Sequence, residues 1–260
     1  MNIVVCIKQV PDTTEIKLDP VKGTLIREGV PSIMNPDDKG ALEQALLLKD
    51  KFGAHVTVIS MGPFQAEAIL REAYAMGADR AILISDRKFG GADTLATSYT
   101  IAAAIRKLDY NLIIAGRQAI DGDTAQVGPQ IAEHLNLPQI TYVENAEWDG
   151  AQTLTVRKQT EEGHEVLSVG LPCMLTLLAS GNKPRYMSVP GIMEAYKKEI
   201  EIWGFDDLEV DPAKIGLSGS PTRVKKSFTK GAKAMGQLYE VTPEEGAQIL
   251  FEKLKEKFVI

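Results

Sequence analysis

The residues that could do chemistry are concentrated between Gly116 and Val127, a stretch rich in Gly, Asp, Thr and Gln. An apolar run, Leu112 to Ala115, precedes this stretch, and Ile131 and Leu135 follow it at helical spacing, which predicts a buried strand, a loop and a helix. With Thr124 as the helix N-cap, the next three backbone N–H groups would be free to bind an anion such as phosphate. The alternative is an ordinary connection between a strand and a helix.

Two carboxylates in this loop, Asp121 and Asp123, would repel a phosphate if they faced it. Carboxylates in such loops also accept hydrogen bonds from backbone N–H groups, from a ribose hydroxyl or from an amide. The sequence lacks the dinucleotide-binding Gly-x-Gly-x-x-Gly, the P-loop and the Gly-x-Ser-x-Gly nucleophile elbow. We therefore predict a binding loop and assign no acid, base or nucleophile to this chain.

The bulk composition excludes several classes of function. The 260 residues carry a formal net charge of −6, which gives no basic field for nucleic acid or for an anionic membrane surface. No apolar run reaches the roughly 18 residues that span a bilayer, so we expect a cytoplasmic protein without membrane insertion. The 2 cysteines and 3 histidines have no metal-ligand spacing, and no metal site is predicted.

Apolar runs alternate with helical patterns over the first half of the chain, which predicts an α/β fold with a doubly wound, mainly parallel sheet. The predicted strands are Ile3 to Ile7, Val56 to Met61, Ala81 to Ile84, Leu112 to Ala115 and Ile140 to Val143. Ligands bind such a sheet at the carboxyl ends of its strands, where the strand order reverses. Cys6, Asn35, Met61 and the loop from Gly116 to Val127 all fall at that edge, which favours a nucleotide-binding α/β domain.

Helix boundaries follow from local signals. Asn35 is the predicted N-cap of a helix with Pro36 at its first position, and Gly53 closes that helix. A later helix is predicted to bury one face, which consists of Leu95, Tyr99, Ala102 and Ala103. Between the first strand and Asn35, the residues from Thr13 to Val30 are predicted to form an extended excursion.

The pattern changes after Asn145. Alternating polar and apolar residues over 153–159 and 165–169 predict an added antiparallel hairpin, and an apolar strand follows at 172–178. The irregular segment from Gly181 to Met193 combines Met, Tyr and Ile, which suits a contact surface, although a plain connecting loop is the alternative.

The last part of the chain is predicted to be an arm. Residues from Asp207 to Ala234 are rich in Pro, Gly, Ser and Lys, and an amphipathic helix follows from Thr242. We expect one α/β domain over residues 1–205, which includes a docking loop at 180–195, and an extended C-terminal arm over 206–260 that packs on a partner subunit.

Several motifs resemble the β subunit of electron transfer flavoproteins along nearly the whole chain. The matching segments are Val-Cys-Ile-Lys-Gln-Val-Pro-Asp (Val5 to Asp12), Met-Asn-Pro (Met34 to Pro36), Met-Gly-Pro (Met61 to Pro63), Met-Gly-Ala-Asp-Arg (Met76 to Arg80), Gly-Arg-Gln-Ala-Ile-Asp-Gly-Asp-Thr-Ala-Gln-Val-Gly-Pro (Gly116 to Pro129), and Pro-Arg-Tyr with Val-Pro-Gly-Ile-Met (Pro184 to Met193). The resemblance implies a heterodimer in which an α subunit carries the electron-transferring FAD and the β subunit binds an adenine nucleotide.

The resemblance also implies which residues bind the cofactor. Carried over position by position, they are Cys6, Asn35, Asp38, Met61, Gly116, Arg117, Gln118, Ala119, Ile120, Asp121, Gly122, Asp123, Thr124, Ala125, Gln126 and Val127. Among them, Arg117 and Gln118 are the candidates for contact with the isoalloxazine, and Thr124 to Val127 for contact with the pyrophosphate.

The loop distinguishes two branches of the family. Simple electron carriers hold a structural AMP in the β subunit, whereas members that bifurcate electrons hold a second FAD there, and their loop resembles Asp121 to Pro129. Gly122 also lets the backbone approach a larger ligand. The hypothesis is that this subunit binds FAD and takes electrons from NADH, with one electron passed to ferredoxin and the other, through the α-subunit FAD, to a partner dehydrogenase or reductase. An AMP-containing carrier is the alternative.

By the same resemblance, Val189, Pro190, Ile192 and Met193 dock on the partner, which is favoured to be of acyl-CoA dehydrogenase type. Val189 stands where Leu is typical and Glu194 where Lys is typical, so a 2-hydroxy acid dehydrogenase stays open as the partner. A third possibility is a regulatory protein of the universal-stress type that binds ATP or AMP. Such a protein has a similar core but explains neither the segment from Pro184 to Met193 nor the terminal arm.

Overall fold

The computed structural model describes residues 1–12, 31–225 and 236–260. The predicted excursion from Thr13 to Val30 lies outside them. The strands within the described residues are β1 (Asn2–Cys6), β2 (Gln9–Pro11), β3 (Ser32–Met34), β4 (His55–Met61), β5 (Arg80–Ile84), β6 (Leu112–Gly116), β7 (Gln139–Trp148), β8 (Thr153–Gln159), β9 (His164–Gly170), β10 (Cys173–Leu177) and β11 (Glu201–Trp203). The helices are α1 (Pro36–Phe52), α2 (Glu67–Met76), α3 (Thr94–Ile105), α4 (Val127–Leu135), α5 (Val189–Ala195) and α6 (Pro243–Glu256).

Nine of these strands form one sheet in the order β11-β5-β4-β1-β6-β10-β7-β8-β9, and β2 and β3 form a separate antiparallel pair. Strands β11 to β7 in this order are parallel, whereas β7, β8 and β9 are antiparallel. The chain builds outward from β1 through β4 to β5 and then returns to place β6 on the other side of β1. The predicted doubly wound, mainly parallel sheet with an added hairpin is confirmed, and its strand order reverses between β1 and β6.

The central strands are buried on both faces, which explains their unbroken apolar sequences. In β1, Ile3 and Val5 pack on one face with α1, α2 and α5, whereas Val4 packs on the other face with α3 and α4. The same alternation of period 2 continues in the neighbouring strands. The sheet is therefore held between two helical layers.

The start and end of α1 follow the sequence signals. Pro36 occupies its first turn, and Gly53 ends it in the left-handed conformation at φ 69°. On α3, Ala102 and Ala103 are buried and Tyr99 packs against the core as predicted, but Leu95 is exposed. Asp93 caps α3 by accepting hydrogen bonds from the next turn, which places Leu95 at the solvent-facing start of the helix.

Strand β7 is longer than the predicted run from Ile140 to Val143, because it has different partners along its length. Its first half pairs with β10, and its second half pairs with β8 in the predicted hairpin. Strand β10 lies between β6 and β7, so the hairpin extends the sheet beyond β7.

The segment predicted to be irregular from Gly181 to Met193 ends in a helix. Ser188 caps α5 by accepting a hydrogen bond from the N–H of Gly191, so Val189 to Met193 are helical. Ser188 provides a start signal that the two prolines in this segment obscure.

The chain after residue 205 first packs against the sheet and then leaves it. Leu208 and Ile215 are buried in the apolar cluster beneath α3. Helix α6 begins at Thr242 with the reciprocal hydrogen bonds of a capping box to Glu245, and it has no buried residue. None of the helices in the described part of the chain combines the length and the apolar character needed to cross a membrane.

Candidate functional site

The predicted site residues lie at the carboxyl ends of neighbouring strands. Cys6 ends β1, Met61 ends β4 and Gly116 ends β6, while Asn35 stands directly before α1. Cys6 and Met61 both pack at the edge of the apolar cluster on the α3 face. Four separate stretches of sequence therefore meet where the strand order reverses.

Asn35 connects two of these stretches. Its side-chain N–H donates to the carbonyl oxygen of Gln118 at 2.8 Å, and its Oδ1 accepts from the N–H of Ile120 at 3.1 Å. Asn35 stands at the predicted N-cap position of α1, but its side chain makes no hydrogen bond to the helix start. The backbone of the loop after β6 takes the place of the helix N–H groups as its partner.

Asp38 fixes the ends of β1 and β6. The N–H of Lys8 donates to its Oδ2 at 2.8 Å, and the N–H of Gly116 donates to its Oδ1 at 3.0 Å. A Cβ on Gly116 would overlap Asp38 Oδ1, so this close approach requires glycine. Burial raises the pKa of Asp38 from its ordinary 3.8 to about 7, and these N–H donors only partly oppose that rise.

Burial also raises the pKa of the Cys6 thiol far above its ordinary value, and the nearby Asp38 carboxylate adds to the rise. The thiol is therefore protonated at neutral pH and is a small apolar wall rather than a nucleophile. Within the described residues, no group of His, Cys, Asp and Glu could hold a metal ion.

The acidic loop residues are paired within the chain. The Nζ of Lys8 donates to both carboxylate oxygens of Asp121, at 2.6 and 2.8 Å, and the side chain of Gln118 donates to Asp123 at 2.9 Å. The charge of Asp121 is therefore compensated by Lys8, whereas Asp123 has a neutral hydrogen-bond donor as its partner. Sequence reasoning missed Lys8, although the motif around it was recognised, because its partner lies 113 residues away.

Thr124 is not the N-cap of α4. The helix begins at Val127 with Gln126 as its N-cap, because Asp123 and Ala125 adopt left-handed backbone conformations at φ 51° and 52°. These two residues prolong the loop and delay the helix. Left-handed conformations cost non-glycine residues about 1 kcal/mol or more and occur often at functional sites.

The loop presents free backbone donors at this point. Among the described residues, no group accepts a hydrogen bond from the N–H of Thr124, Ala125 or Gln126, and Val127 stands at the helix start. Backbone that alternates between left- and right-handed conformations turns successive N–H groups toward one point and binds anions. The donors for the predicted anion site are therefore supplied by the loop itself and not by a capped helix.

Two glycines of this region have opposite reasons to be glycine. A Cβ on Gly128 would lie 2.5 Å from the Thr176 methyl, so glycine lets α4 pack closely on β10. A Cβ on Gly122 would meet nothing within 4 Å, and its φ is not in the left-handed range. The fold does not require glycine at position 122.

The predicted docking residues form an exposed apolar surface on α5. Val189 is 72% exposed and Met193 62% exposed, and Pro190 and Ile192 are also exposed. The helix itself is held firmly, since Ala195 is buried and a Cβ on Gly191 would lie 2.5 Å from the carbonyl oxygen of Ala75 in α2. The structure brings these residues together but away from the loop after β6.

An ion pair between the half-buried Arg185 and the buried Glu43 holds the chain that leads to α5. Arg185 donates from Nε and Nη2 to the Glu43 carboxylate at 2.9–3.1 Å, and its backbone N–H donates to the same carboxylate at 2.9 Å. Asp50 accepts a further bond from Nη2 at 2.7 Å. The sequence offered no sign of this pair, because Glu43 reads as an ordinary polar position of an amphipathic helix.

The comparisons with known proteins agree on one family. Residues 22–208 match the family model described as "Electron transfer flavoprotein domain". The chain is 63% identical to "Electron transfer flavoprotein subunit beta" of Clostridium acetobutylicum, and the match covers the full length of both chains. It is 55% identical, again over the whole of both chains, to "Caffeyl-CoA reductase-Etf complex subunit CarD" of Acetobacterium woodii. It is 48% identical to "Acryloyl-CoA reductase electron transfer subunit gamma" of Anaerotignum propionicum, with all of both chains covered.

Asp38 makes stability depend on pH. Because its folded pKa of about 7 lies above the ordinary 3.8, between these values the folded chain binds a proton that the unfolded chain has released. The free energy of unfolding therefore falls as the pH rises through this window. We expect the thermal unfolding midpoint of the wild type, relative to Asp38→Asn, to fall between about pH 4 and pH 7. Parallel pH profiles for the two proteins would contradict the assignment.

The Glu43–Arg185 pair predicts a large loss of stability on truncation. Arg185→Ala leaves a buried carboxylate without its charged partner and should lower the free energy of unfolding by about 3 kcal/mol in denaturant titrations. Lys197→Ala is the matched control, because it breaks a pair with Glu194 whose side chains are both largely exposed. The control should change the same quantity by about 1 kcal/mol or less. Equal effects would show that burial does not decide the strength of the pair.

Proposed function

The chain belongs to the electron transfer flavoprotein family as a β subunit, and on that premise we propose that it binds FAD at the loop after β6. We propose further that it works in an electron-bifurcating complex, in which electrons from NADH are divided between ferredoxin and a partner reductase. The FAD would supply the redox chemistry, since the sequence offers no catalytic side chain of its own. The chain would bind and orient that cofactor.

The donor set of the loop fits a dinucleotide. The free N–H groups of Thr124, Ala125, Gln126 and Val127 suit the two phosphates of FAD. Cys6 and Met61 offer an apolar wall at one side, and Arg117 and Gln118 stand at the start of the loop for contact with the isoalloxazine. These free, preorganised donors are the observation that carries the proposal.

Gly122 favours FAD over AMP. The fold leaves open space at this position and does not require glycine there, so the lack of a side chain suits the room that a larger ligand needs. An AMP-containing simple carrier stays the second candidate, since the same donors would bind one phosphate. Membership of the flavoprotein family argues against the universal-stress alternative.

The names of two relatives support a reductase partner. One is named as a subunit of a caffeyl-CoA reductase complex and another as an electron transfer subunit of acryloyl-CoA reductase. By extension, we propose that this chain delivers electrons to a flavin-containing reductase or dehydrogenase of acyl-CoA type, which docks on α5 through Val189, Pro190, Ile192 and Met193. A 2-hydroxy acid dehydrogenase is the alternative partner.

The terminal arm is assigned to the α subunit. Leu250 and Phe251 on α6, and Leu238 and Tyr239 before it, are exposed although they are large and apolar. Exposed apolar side chains in this density mark protein contacts. We therefore propose that residues 206–260 pack at least in part on an α subunit that carries the second FAD.

Cofactor content tests the proposal. The heterodimer of this chain and its α subunit is purified and then denatured. It should release two FAD and no AMP per heterodimer, as measured by chromatography of the supernatant. One FAD and one AMP would refute the bifurcating assignment and support the simple carrier. Gly122→Phe should release one FAD fewer, because the added ring occupies ligand space. Its cofactor-free form should unfold at the same temperature as the cofactor-free wild type, since the fold leaves room for the ring. Gly170→Phe is the control, since a side chain there also meets nothing within 4 Å but lies on β9.

Electron delivery tests the docking surface. Val189→Asp places a charge at the centre of an apolar contact and should reduce the rate of electron transfer to the partner reductase at least tenfold, equivalent to about 1.4 kcal/mol. Flavin content and reduction by NADH should not change. Val166→Asp is the control, because Val166 on β9 is 71% exposed and so matches Val189 in exposure. Equal partner rates for the two variants would refute docking through α5.

A further inference from the structure

A cluster of three side chains lies beside the start of the loop after β6. Arg117 Nε lies 3.4 Å from Asp37 Oδ2, and the Arg117 guanidinium carbon lies 5.6 Å from the centroid of the Tyr142 ring. Asp37 belongs to the first turn of α1, Arg117 follows β6 and Tyr142 lies in β7.

The ion pair in this cluster is incomplete. Asp37 is 8% exposed, and its Oδ1 accepts a hydrogen bond from the N–H of Ala179 at 3.0 Å. Its Oδ2 and Arg117 Nε are buried, yet neither has a hydrogen-bond partner within the described part of the chain. Buried polar groups without partners cost about 1–3 kcal/mol each and in native proteins mark positions that another group completes.

Tyr142 is held in an unusual backbone conformation. Its φ is 57°, which is a genuine outlier for a bulky residue. The strand is irregular here, since the register of β7 shifts against β10 between Leu175 and Leu177 and against β8 between Val143 and Asn145. Such bulges redirect a side chain and occur often next to active sites. The bulge brings the tyrosine ring to the Arg117 guanidinium.

The cluster lies where one end of a dinucleotide would reach if its phosphates bound the loop after β6. In the sheet, β4 with Met61 and β7 with Tyr142 are separated by β1, β6 and β10. At about 4.8 Å per strand these four steps span roughly 19 Å. The loop with the free N–H donors follows β6, between the two ends. A mononucleotide whose phosphate binds that loop would fill one side only, whereas a dinucleotide would reach both.

We propose that Arg117 and Tyr142 contact the ring system at the second end of the dinucleotide, and that Asp37 positions Arg117 for this contact. The inference rests on the proposed function, because AMP has no such second ring system. The planar guanidinium donates to the carbonyl oxygens and ring nitrogens of a flat heterocycle, and the tyrosine ring offers an aromatic surface beside it. The cluster thus selects FAD over AMP.

Cofactor content and ligand stabilisation test the contact. Tyr142→Ala in the heterodimer should lose one of two FAD, while added AMP should raise the unfolding temperature of the variant by binding the intact phosphate site. Arg80→Gln is the control for a broken Arg–carboxylate pair, because its pair with Glu201 lies at the far edge of the sheet. It should retain both FAD. A structural collapse of the site would instead abolish the effect of AMP and overturn the proposed contact.

Reduction potentials test the positioning role of Asp37. For the flavin that NADH reduces, Asp37→Asn should make the potential more positive, because it removes a negative charge near the electron-rich reduced ring. Arg117→Gln should make it more negative, and each tenfold change in the two-electron equilibrium corresponds to about 30 mV. Relative to Arg117→Gln, Arg117→Lys should bring the potential part of the way back to the wild-type value, because lysine supplies the positive charge but not the planar guanidinium donors. A purely structural role would not give shifts of opposite sign.

The outcomes separate the two proposals. Wild type that releases AMP in place of the second FAD refutes the proposed function and this inference with it. Wild type with two FAD, combined with Tyr142→Ala and Arg117→Gln variants that keep both FAD and an unchanged potential, refutes only the inference. Loss of FAD in Tyr142→Ala with retained AMP binding supports both.

Discussion

The hydrogen bonds made by Asn35 and the first turn of α1 are the interactions on which the candidate site at the carboxyl edge of the sheet depends. Acidic and amide side chains at this position usually bind the N–H groups of their own helix. Here the three side chains bind the backbone of other segments. Asn35 binds Gln118 and Ile120, Asp37 binds Ala179, and Asp38 binds Lys8 and Gly116. Connections after three different strands are thereby fixed to one rigid helix. The helix dipole favours these carboxylates where they stand, although burial raises the pKa of Asp38.

Asn35 and α1 bind the backbone groups at the start of the loop after β6. The N–H groups in the middle of the loop are left without partners among the described residues. Gly116 and Ile120 are held by α1, and Gly128 is held against β10 by close packing. Between these ends, the left-handed Asp123 and Ala125 turn the backbone so that successive N–H groups lack partners among the described residues. The fold supplies the rigidity, and the strained middle of the loop supplies the free N–H groups that we propose bind the cofactor.

Local patterns predicted the strands, the hairpin, both ends of α1 and the meeting of four loops at one edge of the sheet. Interactions between distant residues decided what the sequence could not show. Asn35 has the composition of an ordinary N-cap, and its use as a link to residues 118–120 follows only from the close approach of β6. Thr124 precedes a helical pattern, but two left-handed residues, invisible in residue type, move the helix start to Val127. Tyr142 owes its orientation to a bulge that depends on the register of two neighbouring strands.

The packing of α5 also bears on how such a carrier changes partners during evolution. Its backbone is fixed to α2 by the close approach of Gly191 to Ala75 and by the buried Ala195, whereas Val189 and Met193 touch nothing that the fold needs. Mutations at the exposed positions therefore leave the helix where it is. Under the proposed docking through α5, a lineage could exchange one redox partner for another by surface substitutions alone, while the position of the docking helix on the subunit is inherited unchanged.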